Sequence, residues 1–344
     1  MTTSRSGGGL IGRLAGTYPL ADTYHALQLA EDMSSITARV SGVVTDSTGL
    51  KLPGDPQTVV IDRNEWVERN VASFSHLTEP ARRKIEERMA ERGSPQGAAL
   101  AGRLLTGETR ALLGVLARRV LGQYELVLPT GEQGDVVAYV GPNILQLERA
   151  HQFKPAEFRY WVALHELTHR AQFQGIPWMR DYFMGLVTDL VETATPEPGV
   201  LGRLMDEVGQ RRAAGQPLLD ERGLLGLFGT PEQNAMVDRV QALMSLLEGH
   251  GHYVMDRVGA TELKSQQRMS RILKGRRQDK RTAAFFRLTG LEMKMKQYKA
   301  GERFVRIVEK EAGWDAVGIA FRGAGSLPDL AEIDDPRQWL RRVA

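Results

Sequence analysis

The sequence predicts a mainly α fold with a small β-sheet or hairpin. Two observations carry this. Most of the chain places apolar residues at three- and four-residue spacing, the period of an amphipathic helix. Only three short runs, within "TVVIDR", "YELVL" and "VVAYV", are β-type, and turn residues bound them. With 344 residues, 42% of them hydrophobic and 25% charged, the composition is that of a folded globular protein able to bury a substantial core.

The amino-terminal residues 1–17 combine Gly and Ser with no periodic apolar pattern and read as a poorly ordered tail. Residues 18–344 read as a single domain, with room for two lobes flanking a cleft. Helical spacing runs from about Tyr18 to Val44, and "TGLKLPGDPQ" is a Pro/Gly connector to the first strand, "TVVIDR". Amphipathic patterns follow over Arg63 to Arg92 and Pro95 to Leu121. Tyr124 to Leu128 and Val136 to Val140, joined by a turn rich in Gly, Glu and Asp, form a predicted hairpin. The next helix begins at Pro155, which suits a first turn, and ends at Gly175, with Pro177 enforcing the stop. A later helix starts with Thr230 as N-cap, Pro231 at its first position and Gln233 completing a capping box, and is expected to stop near Gly259.

The chain has no cysteine, so disulfides and thiolate metal sites are excluded, and any metal must be held by His, Asp or Glu. A formal charge of +3 does not mark the whole chain as a nucleic-acid binder. No apolar run approaches the roughly 20 residues of a membrane helix. The opening residues are too weakly apolar for a secretory signal, so a cytoplasmic protein is expected.

The chemistry concentrates in "WVALHELTHRAQFQGIPW". On a helix His165 and His169, four apart, project from one face, and Glu166 leans towards the same site. The arrangement resembles the HExxH active-site helix of zincin-like metallopeptidases, in which two imidazoles would hold Zn2+ and the glutamate would activate a zinc-bound water. Three fixed positions in five arise by accident in a chain of this size about once in a hundred. A third ligand should come from a second helix. "ALMSLLEGHGHYVMD" supplies Glu248 after an apolar run, with His252 four residues on and His250 between them. Glu248 is the expected metal ligand, a gluzincin-like choice. His252 or His250 is expected as a catalytic transition-state donor, and a three-histidine site using His252 is the alternative. Gly249 and Gly251 inside this helix point to a close backbone approach, expected from the metal helix. The residues after His169, "RAQFQ", lack the extended metzincin motif.

Taken together, "VVIDRNEWVERN", "VLGQYELVLP", "VGPNI", "FRYWVALHELTHRAQFQGIPWMRDYF", "LMSLLEGHGHYVMD", "GLEMKMKQYKAGERFV" and "DDPRQWLRRV" resemble the zincin-like metallopeptidase type 2 family. More narrowly they resemble its hydrolase branch labelled as associated with coenzyme F-420 biosynthesis. The resemblance runs from about Thr58 to Val343. It implies a largely helical zincin-like domain with zinc at His165, His169 and Glu248, and Glu166 as base.

Residues 264–287 carry nine Lys or Arg and a single acid, Asp279. A solvated helical face explains them better than polyanion binding, since no nucleic-acid-binding motif accompanies them. Lys296 and Tyr298 are further candidates for an oxyanion donor. The expected function is therefore a zinc hydrolase, most simply a peptidase, with a peptide or other small substrate in a cleft and no nucleic-acid or membrane partner. The alternatives are a non-catalytic zinc-stabilised scaffold and a polyanion-binding protein.

Overall fold

The computed structural model describes residues 16, 18, 20, 23–91, 110–131, 133–193, 231–277 and 292–344. The elements in chain order are α1 (Tyr24–Thr48), β1 (Gln57–Ile61), α2 (Arg63–Glu91), β2 (Gly122–Val127), β3 (Gln133–Val140), α3 (Gly141–His151), α4 (Pro155–Gln174), α5 (Met179–Thr193), α6 (Pro231–Glu262), α7 (Gln266–Arg277), α8 (Glu292–Ala312), α9 (Trp314–Val317), α10 (Leu330–Asp334) and α11 (Pro336–Val343). The fold is mostly helical with one small sheet, as the periodicity predicts. No helix among the described residues is long and apolar enough to cross a membrane. The chain groups into two compact units, one of 1–177 with 254–269, the other of 178–253 with 270–344.

The first unit is built on a three-stranded sheet of order β1-β3-β2. β2 and β3 form the expected antiparallel hairpin, Gly122 opposite Tyr139 and Tyr124 opposite Val137. β1 pairs with the other edge of β3 in parallel, Gln57 opposite Val136. Successive side chains of a strand point to opposite faces. On one face Ile61, Ala138 and Val140 form a core with Trp66, Val67 and Val71 of α2. Arg69 of α2 also grips both carboxylate oxygens of the buried Glu125 of β2, donating from Nε and Nη2 at 2.7 and 2.6 Å. On the other face the Tyr139 hydroxyl meets Thr37 of α1 at 3.0 Å. Where the chain leaves β3, Asn143 donates to the carbonyls of Ala117 and Val120 and accepts from Arg63, which fixes the start of α3.

α4 is locked in by two buried arginines. Arg159 forms a two-point ion pair with Glu148 of α3 and a further bond to Asp32 of α1. Arg170, 0% exposed, binds both carboxylate oxygens of Asp135 at 2.7 and 2.6 Å and the carbonyls of Pro53 and Gly54 at 2.7 and 2.9 Å. Gly175 ends α4 as expected, but with φ −83° rather than in the left-handed region. Its lack of a side chain serves space, because a Cβ there would lie 3.0 Å from the Lys51 carbonyl oxygen.

The second unit packs helices around a buried aromatic pair. Trp339 of α11, fully buried, meets Phe304 of α8 edge-on and donates to the Ser326 carbonyl at 2.8 Å. Arg342 ties α11 to α10 through both oxygens of Glu332, at 2.6 and 2.8 Å, and Glu332 also completes the capping box begun by Asp329. α6 and α8 cross at glycines: a Cβ on Gly301 would lie 1.8 Å from the Ser245 carbonyl oxygen, and one on Gly249 would lie 2.1 Å from the Gly301 carbonyl carbon. Gly249 therefore faces α8, not the helix carrying HELTH. α6 also runs past Gly259, as far as Glu262. Gly259 is a packing glycine, since a Cβ there would press on Gln266 and on the Trp161 ring at 2.9 and 3.2 Å. Thr230, the expected N-cap, lies outside the described residues.

Candidate metal centre

α4 presents His165 and His169 on one face, and their Nε2 atoms stand 3.2 Å apart with the rings nearly perpendicular. Two imidazole nitrogens on one tetrahedral zinc, each about 2.05 Å from it, would be separated by roughly 3.3 Å. The pair is thus spaced for a shared ion. His169 Nδ1 lies 2.9 Å from the amide oxygen of Gln172, one turn further along α4 and fully buried. An amide oxygen only accepts, so Nδ1 carries the proton and Nε2 keeps its lone pair. Gln172 is a site residue that the HExxH pattern does not reveal. The only signal in the sequence is its position three residues after His169.

Glu166 is 5% exposed, unusual for a carboxylate. Its side chain lies against the first residue of β2, where a Cβ on Gly122 would be 2.6 Å from Glu166 Cγ and 2.9 Å from Oε1. Tyr139 belongs to the same neighbourhood. Burial pushes its phenol far up, and the Glu166 charge pushes in the same direction, so the hydroxyl stays protonated. Tyr124 of β2 backs the end of α4, accepting from Gln174 at 2.7 Å and stacking on Phe173. The segment before β1 and the start of β3 at Asp135 are pinned through Arg170, the residue after His169. Glu166 and the histidines therefore sit on a helix held at several points along its length.

On α6 the predicted residues part company. His250 is 2% exposed, stacked on Trp314 at 5.8 Å and edge-on to Phe321 at 5.1 Å. Glu248 and His252, four residues apart on α6, share a face of that helix. A carboxylate oxygen and an imidazole nitrogen are donors that zinc accepts in sites that keep a position open. Lys296 and Tyr298 fall on side chains outside the described set, as do residues 278–287 of the basic stretch.

A family model described as zincin-like metallopeptidase matches residues 12–340. Among solved structures the chain is similar to one described as a "putative hydrolase with a novel fold" from Chloroflexus aurantiacus. The identity is 33%, the TM-score is 0.68, and the match covers 96% of this chain and 95% of that one. A comparison with curated proteins finds no match.

Proposed function

The chain belongs to the zincin-like metallopeptidase family, and from that premise we propose that it is a zinc-dependent hydrolase cleaving peptide bonds. The observation that carries this reading is the pair of imidazole nitrogens 3.2 Å apart beside the buried Glu166. The hydrolase description of the similar structure supports the reaction class.

In this reading His165 and His169 hold the ion through Nε2, Gln172 fixes the His169 ring, and Glu248 is the third ligand. Helix arithmetic supports the use of α6. Gly259 packs on Trp161, which stands four residues before His165 on α4. His252 lies 259 − 252 = 7 and Glu248 259 − 248 = 11 residues before Gly259. At about 100° per residue both fall within roughly 20° of Gly259 around the helix. Trp161 and His165 likewise share a face of α4, so the packing faces of the two helices are those that bear the donors.

Bound zinc would polarise the scissile carbonyl and make water acidic near neutral pH. Glu166 takes the proton from the attacking water and delivers it to the leaving amine. His252, one turn beyond Glu248 on α6, donates to the developing oxyanion. His250 is turned into an aromatic stack and supports the helix. Preference for a peptide comes from β2, an edge strand of the sheet. Val140 donates to the Leu121 carbonyl, so by antiparallel alternation Gly122 turns its own N–H and C=O away from β3. An extended segment can add to such an edge.

Metal analysis and a randomised peptide library read by mass spectrometry test the proposal. Wild type should carry about one zinc per chain, lost in His165→Ala and Glu248→Ala. Glu166→Gln should keep the metal and lose about 10²- to 10⁴-fold in rate. His252→Ala should keep the metal and lower kcat. Cleavage by Glu166→Gln at the wild-type rate would refute the mechanism.

A further inference from the structure

Gly122 has a backbone that any residue could adopt. Left-handed φ values occur at Gly16, Gly49, Gly54, Gly131 and Gly313, and Gly122 is not among them. As the first residue of β2 it sits in regular antiparallel register opposite Tyr139. Conformational freedom does not explain the glycine here; space does. Every atom that a Cβ would meet first belongs to one side chain: Glu166 Cγ at 2.6 Å, Cδ at 2.8 Å and Oε1 at 2.9 Å. Real Cβ contacts are longer than these, so one of the two groups must move.

We infer that Gly122 is a positioning residue for Glu166: the absent side chain is what lets the carboxylate lie flat against the edge of the sheet. The inference rests on the catalytic reading of Glu166. The consequence of adding a methyl group follows from which side is softer. β2 is held by its ladder to β3 and by the bonds of Glu125 and Gln123 to Arg69 and Trp66. α4 is held by Arg159 and Arg170. The Glu166 side chain has rotatable bonds, so it yields first, and its carboxylate swings away from the strand while both backbones stay in place. A displacement of about 1 Å at a catalytic group costs on the order of 10²-fold in rate. The three atoms nearest the new methyl all belong to Glu166 and none to an imidazole, so metal binding should be retained.

The test is Gly122→Ala, alone and combined with Glu166→Ala, which removes the three atoms that the new methyl would meet first. Gly122→Ala should bind Co2+ with wild-type affinity, unfold at the wild-type temperature or slightly above, and cleave the peptide library with kcat lowered on the order of 10²-fold at nearly unchanged KM. Its crystal structure should show Glu166 in a new rotamer over superimposable α4 and β2 backbones. Because Glu166→Ala removes Cγ, Cδ and Oε1, the residual rate and the unfolding temperature of Glu166→Ala should not fall further when Gly122→Ala is added. Wild-type kcat in Gly122→Ala, or equal losses in the two backgrounds, would overturn the inference. Should Gly122→Ala fail to fold, a folded double variant supports the inference and an unfolded one overturns it, since the strain would then lie elsewhere than Glu166. If Glu166→Gln is inactive while Gly122→Ala is fully active, this inference fails and the proposed function stands. An active Glu166→Gln sinks the proposed function itself.

Discussion

The ion pair between Arg170 and Asp135 allows a prediction in which burial sets the order of effects. The Arg170 side chain is 0% exposed and the Asp135 side chain 29%. Removing one partner of a fully buried pair costs about 3 to 5 kcal/mol, most of it from the charge left behind. Asp135→Ala strands a cation that no water reaches, so about 4 kcal/mol is expected. Arg170→Met keeps the aliphatic volume and strands a carboxylate that already touches solvent. The carbonyls of Pro53 and Gly54 lie on exposed residues and can turn to water. About 2 kcal/mol is therefore expected for Arg170→Met. The double variant should cost about as much as Arg170→Met alone, since the shared interaction is lost only once. Urea unfolding followed by the fluorescence of Trp66 and Trp161, both in the first unit, gives the midpoints. If Asp135→Ala costs no more than Arg170→Met, or both cost under about 1 kcal/mol, the reasoning from burial is wrong.

The glycines make a paired test of packing. Gly301→Ala forces a Cβ against backbone, 1.8 Å from the Ser245 carbonyl oxygen, and should destabilise by more than about 3 kcal/mol or abolish folding. Gly42→Ala, in the interior of α1 with nothing within 4 Å, should stabilise by about 0.5 to 1 kcal/mol in the same thermal or urea assay. The third concerns acid. Hydrogen bonds from Arg342, helped by the Asp329 N–H, hold the Glu332 carboxyl below the ordinary value of 4.5. A carboxyl depressed in the folded state contributes stability that is present above its unfolded value and is lost as pH falls through the folded one. The gap in melting temperature between wild type and Glu332→Gln should be constant near neutral pH and shrink below about pH 4.5. A gap independent of pH would show that the bonds are not coupled to the charge.

Local signals in the sequence were enough for what depends on neighbours in the chain. The hairpin of β2 and β3 follows from two β-type runs and a Gly-rich turn, and α4 from Pro155, the apolar spacing and Gly175. The spacing of His165, Glu166 and His169 follows from helical periodicity alone. What the sequence did not reveal depends on residues brought together from far apart. The parallel pairing of β1 with β3 has no local signature, because a parallel strand carries no turn that sets its register. From the sequence, Gly249 is expected to meet the metal helix. Its partner is instead Gly301, 52 positions later (301 − 249), and a glycine announces a close approach without naming what approaches. Gly122 and Gln172 meet Glu166 and His169, and neither residue type is a chemical group that a motif search would select.

The order β1-β3-β2 also bears on how the chain folds. The hairpin closes over a few residues, whereas Gln57 and its partner Val136 are 136 − 57 = 79 positions apart. The entropy of closing a loop rises with its length, so the hairpin forms first and β1 joins it afterwards. The segment just before β1 supplies the Pro53 and Gly54 carbonyls that receive Arg170. A nascent chain therefore makes this segment before β3 and α4 but can use it only once both have emerged. The last bonds to close around the residue following His169 come from a segment synthesised ahead of it.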